Sequence, residues 1–315
     1  MVAHRSRSGS LQVWPRCRAR KILPNANWNG LPVQKKVGLL GFIGYKVGMI
    51  SVFAKDNTPD SMTKGKKIVV PATILECPDL RIFSVRFYKD SKVLKEVIVH
   101  FEEELKRKMK KPKEIKPSNI NEIKDFDDVR VLVFSEVKKI GIKKSPDLIE
   151  IALSGNKEEK LNFIKERLNK GIKISEVFPE GILDTHAVTK AYGTMGPVKR
   201  FGIGLKFHKS EKGVRRPGTL GPWHPSRVTF RVSNMGQTGF HTRVSYNSLV
   251  LQVGKISEKN INRPGGFINY GNIKTEYIIL KGSVQGTEKR PVLMTIAQRP
   301  TRNTAKQKLE VLELR

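Results

Sequence analysis

The stretch VGLLGFIGYKVGMISVFA at residues 37–54 carries the clearest folding signal in the chain. Apolar residues fill it, and glycine recurs at Gly38, Gly41, Gly44 and Gly48. Apolar, β-branched runs are typical of strands, and a glycine within a strand marks a tight corner or a close approach of neighbouring backbone. We therefore predict two short strands here, of the kind that turn the corners of a barrel. The pattern G-x-x-x-x-G-K-[ST] does not follow them, which excludes a phosphate-binding P-loop.

Strand-like runs recur along the rest of the chain, separated by polar turns. Two helices are predicted among them. One is a short charged helix in HFEEELKRKMKKPKE (100–114), which ends near Pro112 and has its acids before its bases, as suits the helix dipole. The other begins after Asn156 with Glu158 and Glu159 in its first turn, where a side-chain cap and negative charge stabilise a helix. Many short strands between turns favour a closed β-barrel over an α/β sheet. The predicted strands are KIVVPATILEC (67–77), RIFSVRFY (81–88), VLKEVIVHF (93–101), VRVLVFSEV (129–137), DLIEIALSG (147–155), ILDTHAVTKAYG (182–193, running into a turn), NSLVLQVGKI (247–256), TEYIILKGSV (275–284) and RPVLMTIAQR (290–299).

The charge is distributed unevenly. The 315 residues carry a formal net charge of +31, of which +11 lies in residues 1–75, +16 in 181–315 and only +4 in 76–180. We predict a mainly β protein in which 37–75 and 181–315 form the barrel. A basic RNA-binding tail at 1–36 precedes it, and an α/β insertion at 76–180 interrupts it. The nearly neutral insertion is expected to face solvent or other proteins, and the flanks to form one nucleic-acid surface.

The size of the charge limits the possible functions. A compact particle with this much positive charge repels itself, and a polyanionic partner relieves the repulsion while releasing counterions. A membrane-spanning helix is not predicted, because no run of 18 apolar residues exists. Cys17 and Cys77 are isolated, so neither a disulfide nor a zinc site is expected. We predict no metal, no cofactor, no small-molecule substrate and no membrane partner.

Residues 185–243 hold eleven basic residues and a single acid, Glu211. A loop-like stretch this long within a compact domain is usually functional or disordered. Packed in folded RNA, its amides and guanidinium groups would contact phosphates. Its Trp223 stands between Pro222 and Pro225, which favours an exposed tip, with a core position as the alternative.

The tail has eight basic residues and no acidic one in residues 1–36, together with Trp14 and Trp28. A disordered tail is one interpretation. The other is a tail that becomes ordered on RNA, since indole rings stack on bases. The candidate RNA-binding residues of the tail and of the 185–243 segment are His4, Arg5, Trp14, Arg16, Arg18, Arg20, Lys21, Lys190, Lys199, Arg200, Lys212, Arg215, Arg216, Trp223, His224, Arg227, Arg231, His241 and Arg243.

Four polar residues invite a catalytic or metal-binding interpretation. His224 and His241 each stand alone among basic residues, so a hydrogen bond to RNA or to backbone is the preferred interpretation. Asp184 and His186 are one residue apart, but no nucleophile in a matching context follows, and we interpret the pair as structural.

Seven motifs follow one another along the chain: His4-Arg5 with GSLQVWPRCRARKI (9–22), GFIGYKVGM (41–49), DTHAVTK (184–190) with Gly193, Gly196 and Arg200, GPWHPSRV (221–228), GQTGFHTRVSYN (236–247), GGFINYG (265–271) and KGSVQGTEKRPV (281–292). In this order they resemble the universal large-subunit ribosomal protein three family, in its archaeal and eukaryotic branch. The resemblance covers nearly the whole chain. Two departures stand out: Ala191 and Tyr192 occupy a place where the family has glycine and a basic residue, and Glu211 falls where eukaryotic relatives carry histidine. The turn at Ala191 is therefore expected to be looser, with one phosphate contact fewer.

This resemblance implies a six-stranded translation-protein-type β-barrel with an α/β insertion, and a finger at 193–245 with Trp223 at its tip and Arg215 and Arg216 on its shaft. It implies direct binding to large-subunit rRNA, an early role in assembly, and a finger that reaches toward the peptidyl transferase centre. The family has no catalytic activity and works in the cytoplasm. Its implied protein neighbours are ribosomal proteins fourteen and, in archaea, twenty-four-e.

Two rival functions belong to other classes. An RNA-modifying enzyme would need a cofactor fingerprint or a paired acid–base site, and the sequence contains neither a G-x-G-x-x-G between strand and helix nor a metal cluster. A non-ribosomal RNA chaperone or assembly factor is not separated from a resident ribosomal protein by the residues alone.

Overall fold

The computed structural model describes residues 13–32, 34, 36–112, 115, 120, 123, 125–168 and 170–315. It is mainly β, with 38% strand and 13% helix. The strands are β1 (Gly38–Leu39), β2 (Gly41–Asp56), β3 (Lys67–Cys77), β4 (Leu80–Lys89), β5 (Lys92–Ile98), β6 (Asp128–Ser135), β7 (Leu148–Ser154), β8 (Ile182–Val188), β9 (Ala191–Met195), β10 (Gly236–Gly239), β11 (Thr242–Lys255), β12 (Glu276–Lys281), β13 (Pro291–Ile296) and β14 (Leu309–Leu314). The helices are α1 (Val137–Ile140), α2 (Lys157–Arg167), α3 (Ile174–Val177), α4 (Pro197–Phe201) and α5 (Arg302–Ala305), with 3₁₀ turns at Trp28–Gly30 and Glu103–Arg107.

The chain divides into two compact units. The larger, here called the sheet unit, comprises Ile22–Ala187 and Arg243–Arg315. The described residues of the smaller, here called the basic unit, are 13–21 and 188–242. Among the residues described, no helix has the length and apolar character needed to cross a bilayer.

The sheet unit contains two sheets. One has seven strands in the order β13-β8-β11-β12-β3-β2-β14, and β13 also pairs with β2. The other has five strands in the order β1-β7-β6-β4-β5, and its ladders from β7 to β5 are antiparallel. The helix α2 begins after Asn156, as predicted, and Asn156 is its N-cap: the Asn156 N–H donates to the Glu159 carboxylate at 2.9 Å, one half of a capping box. Side chains such as Phe42, Ile43, Val131 and Leu293 build the main apolar core of this unit.

The prediction of two short strands at 37–54 was wrong. The structure has a two-residue β1 followed by a single sixteen-residue β2. Glycines that suggested breaks instead make room for neighbours. A Cβ on Gly41 would lie 2.7 Å from Cη2 of Trp28, and one on Gly44 would lie 3.1 Å from Cε of Met294. The strand stays continuous, and close packing explains Gly41 and Gly44.

Gly41 offers a direct test of this packing. Gly41→Ala is expected to lower the free energy of unfolding by about 1–3 kcal/mol, the usual effect of overfilling a close-packed core. Gly38→Ala is the matched control, because a Cβ there meets nothing within 4 Å; it should change stability by less than about 0.5 kcal/mol. Urea unfolding measures both, and equal effects would contradict the packing argument.

A buried carboxylate joins β3 to the loop before β12. Glu76 is fully buried and accepts the backbone N–H groups of Lys274 at 2.7 Å and Thr275 at 2.9 Å. It also accepts the hydroxyls of Thr275, at 3.1 Å, and Tyr270. Burial, together with the nearby Glu76 charge, raises the pKa of Tyr270 well above its usual range, so that the phenol stays protonated and keeps donating. Glu76 therefore anchors residues 270–275.

The Asp184 and His186 pair is structural, as predicted. The Asp184 carboxylate is buried and accepts the backbone N–H groups of Asn247 at 2.8 Å and Gln298 at 2.9 Å. The His186 ring bonds to the Thr295 hydroxyl at 3.1 Å, and burial lowers its pKa. Both side chains are engaged in holding strands together.

Candidate nucleic-acid interface

The basic unit contains a two-stranded β-sheet. β9 and β10 pair antiparallel from Met195↔Gly236 to Ala191↔Gly239, which brings together the two ends of residues 202–235, here called the 202–235 loop. That loop contains no helix or strand. Gly239 has φ +74°, and a Cβ there would lie only 1.9 Å from the carbonyl oxygen of Lys190, so only glycine fits.

Arg200 holds the base of the 202–235 loop. It lies on α4, which begins with Pro197 and ends at Gly202 in the left-handed conformation. Its guanidinium donates to the carbonyls of Gln237 at 3.1 Å and Asn234 at 3.0 Å, and burial lowers its pKa. Arg200, which is predicted from sequence to bind RNA, thus donates hydrogen bonds to the protein's own backbone.

The described tail residues pack within the same unit. The Trp14 ring stacks on Phe201, with centroids 5.8 Å apart and an interplanar angle of 19°. The Arg16 guanidinium lies 4.2 Å from the Phe201 ring centroid and donates to the Arg200 carbonyl at 2.8 Å. The Ala19 N–H donates to the carbonyl of Phe240 at 2.8 Å. Stacking and cation–π contacts therefore order residues 14–19 on protein surface.

His241 also forms a hydrogen bond to the tail. Its Nδ1 donates to the Cys17 carbonyl at 2.8 Å, and its backbone N–H donates to the Thr189 hydroxyl at 3.1 Å. The expectation of a hydrogen bond to backbone is met for His241. Within the described part of the chain, no cluster of three His, Cys, Asp or Glu side chains could hold a metal ion.

The Trp14 stack predicts a measurable effect on the tail. Trp14→Ala removes the stack and the cation–π contacts, so the Ala19 amide is expected to exchange with solvent about tenfold faster, equivalent to about 1.4 kcal/mol. Trp223→Ala is the control, because Trp223 is 87% exposed. Hydrogen exchange followed by mass spectrometry measures this effect. Unchanged protection of residues 17–21 in Trp14→Ala would show that the stack does not order the tail.

Six cations of the 202–235 loop, lying between residues 206 and 227, are exposed and lack acidic partners among the described residues. Among the described side chains, none forms an ion pair with those of Lys206, Lys209, Lys212, Arg215, Arg216 or Arg227. Residues 76–180 behave differently: Arg86 pairs with Glu150 at 2.7 Å and Lys160 with Asp128 at 2.6 Å. The loop therefore carries a concentrated, uncompensated positive charge, which is the electrostatic condition for binding a polyanion.

Trp223 lies on the surface, and the alternative of a core position is wrong. Its exposed fraction is 87%, and His224, Arg227 and Arg231 beside it are exposed as well. Sequence reasoning missed Phe207 and Phe230, which are 70% and 64% exposed. The available signal was an aromatic ring set directly among cations, as in KFHK at 206–209.

The other candidate residues fall in several places. His4 and Arg5 lie outside the described residues. Lys199 lies 5.3 Å from the Tyr192 ring centroid, and Ala191 and Tyr192 are both exposed. Arg243 belongs to the sheet unit, where its carbonyl accepts from Gln285 at 2.9 Å. The remaining candidates are solvent-facing: Arg18, Arg20, Lys21 and Lys190.

Comparison with known proteins gives one consistent result. The sequence model of the family described as Ribosomal protein L3 matches residues 2–315. The Large ribosomal subunit protein uL3 of Methanococcus vannielii is 40% identical over 318 residues, covering 95% of this chain and 93% of that protein. The proteins of the same name from Archaeoglobus fulgidus and Methanocaldococcus jannaschii are each 39% identical, covering 95% and 94% of this chain and 94% and 92% of the relatives.

Proposed function

The chain belongs to the ribosomal protein L3 family, and from that premise we propose that it binds large-subunit rRNA directly through the basic unit. It is a structural constituent of the large ribosomal subunit, located in the cytoplasm, and is not an enzyme. This membership removes the RNA-modifying enzyme as a rival. The proposal concerns which part of the chain meets the RNA and how.

One observation carries the proposal: six exposed cations of the 202–235 loop have no acidic partners among the described residues, namely Lys206, Lys209, Lys212, Arg215, Arg216 and Arg227. Their mutual repulsion falls when phosphates come between them, and the release of condensed counterions adds to affinity. Phosphate contacts would supply most of the affinity, and the shape of the folded RNA most of the specificity.

We further propose that residues 193–245 form a finger that enters the RNA and reaches toward the peptidyl transferase centre, with Trp223 at its tip. The exposure of Trp223, at 87%, and the lack of helix or strand in the 202–235 loop support this role. An early role in subunit assembly and contact with ribosomal proteins fourteen and twenty-four-e are part of the same proposal.

The finer architecture is also a proposal. Six strands, β2, β3, β12, β11, β8 and β13, would close into a barrel, and the pairing of β13 with both β8 and β2 supports closure. In this division 37–75 and 181–315 build the barrel, 76–180 is the insertion, and 1–36 is the tail. The low net charge of the insertion supports a surface that faces solvent or proteins.

Co-sedimentation tests the proposal that direct contact with rRNA holds the chain in the subunit. Mature large subunits washed in high salt should retain the tagged full chain at one copy per subunit. Presence only in immature particles, or loss in the wash, would contradict a resident rRNA-binding role.

A further inference from the structure

A small hydrogen-bonded turn stands out within the 202–235 loop. The Lys206 N–H donates to the Val214 carbonyl at 3.0 Å and closes the segment between them. Inside it, the Ser210 N–H donates to the Phe207 carbonyl at 2.9 Å. These two bonds fix the backbone on either side of Phe207, so less conformational entropy is lost when that residue meets a partner.

Phe207 is presented to solvent on this turn. Its exposed fraction is 70%, whereas Phe42, Phe87 and Phe134 of the sheet unit are fully buried. Its ring centroid lies 4.2 Å from that of His208, so two rings form one aromatic surface. An exposed pair of this kind forgoes the free energy of burial, which indicates an interaction surface.

The chemistry around Phe207 defines what it can bind. The five cations between residues 206 and 216 are exposed and lack acidic partners in the described structure: Lys206, Lys209, Lys212, Arg215 and Arg216. Trp223 repeats the arrangement, with an exposed ring four residues before the unpaired Arg227. Aromatic faces interleaved with cations match a chain of flat bases joined by phosphates, since bases stack on rings while the backbone meets Lys and Arg.

Building on the rRNA-binding function proposed above, we propose that the 202–235 loop recognises RNA at unpaired nucleotides, with Phe207 stacking on an exposed base and the neighbouring cations contacting its phosphates. A-form duplex does not offer this contact, because its bases are stacked inside the helix and its major groove is too deep and narrow to read. An anionic membrane fits less well, because interfacial binding uses an amphipathic helix and the loop has none.

The test compares two RNAs of equal length and equal phosphate number, one fully paired and one with a central internal loop. The full chain should bind the internal-loop RNA about tenfold more tightly than the duplex, a difference equivalent to about 1.4 kcal/mol. Phe207→Leu keeps an apolar side chain and removes the ring, so it should abolish most of that preference while leaving duplex affinity unchanged. Leu205→Ala is the matched control, because Leu205 is 60% exposed and not aromatic; its preference should equal that of the unaltered chain.

The outcomes separate the inference from the function on which it rests. Equal binding of both RNAs, or a preference that survives Phe207→Leu, would overturn base stacking and leave rRNA binding standing. Binding of neither RNA would overturn both. Vesicles containing anionic lipid form the third arm: if Phe207→Leu weakens only vesicle binding, the partner is a lipid surface and the inference is wrong.

Discussion

Replacing Lys212, Arg215 and Arg216 together by glutamate is expected to weaken binding of the full chain to large-subunit rRNA by about a thousandfold. Each lost charge-assisted contact removes about 1.5 kcal/mol, and three of them amount to about three powers of ten. The introduced carboxylates would also repel phosphates. Because all three side chains are exposed and lack acidic partners among the described residues, the melting temperature should not change.

The control for this charge reversal lies in residues 76–180. Lys92, Lys95 and Lys144 are also exposed, and changing them to glutamate alters the net charge by the same amount. Filter binding at fixed salt should show a much smaller loss for this control, because these residues lie outside the basic unit. Equal losses for the two triple variants would mean that only total charge matters, and the interface would be misplaced.

Glu76→Met is expected to lower the free energy of unfolding by about 3–5 kcal/mol. The thioether cannot replace the carboxylate as acceptor, so two backbone N–H groups and the Tyr270 hydroxyl lose their partner, and each buried unsatisfied group costs at least about 1 kcal/mol. The groups left without a partner belong to Tyr270, Lys274 and Thr275. The Thr275 hydroxyl keeps the Glu276 carbonyl at 3.5 Å as an acceptor. Chemical denaturation measures the loss.

Glu76→Gln separates hydrogen bonding from volume. The amide oxygen still accepts from the backbone N–H groups, and the side chain keeps its size, so we expect a loss of only about 1 kcal/mol. If glutamine proved as destabilising as methionine, the negative charge itself would be the decisive factor, and the account of the 270–275 anchor would need revision.

Most strands could be predicted because their residues carry the signal locally. Lys67–Cys77 was predicted with the bounds that the structure has, since its run of β-branched residues is flanked by polar turns. β14 was not predicted: it follows a basic segment, and its partner β2 lies some 250 residues away. The unbroken β2 was missed for a related reason, because Trp28 and Met294, which require Gly41 and Gly44, reach the strand only in the folded state.

In the candidate interface too, features that depend on local sequence could be predicted, and features that depend on distant segments could not. The exposure of Trp223 could be predicted, because flanking glycine and proline keep a large ring out of a core. The role of Arg200 could not, since its carbonyl partners at Asn234 and Gln237 are supplied by a fold that brings distant segments together. Composition shows how many cations a segment has, and only the structure shows which of them the protein itself uses.

The salt dependence of rRNA binding tests the central claim most directly. If the unpaired cations of the basic unit contact phosphates, the logarithm of the association constant should fall linearly with the logarithm of salt concentration, with a slope of about −5 or steeper. The Lys212, Arg215 and Arg216 triple variant should flatten the slope by about 3. A flat response of the unaltered chain, or an identical slope in the variant, would contradict the account.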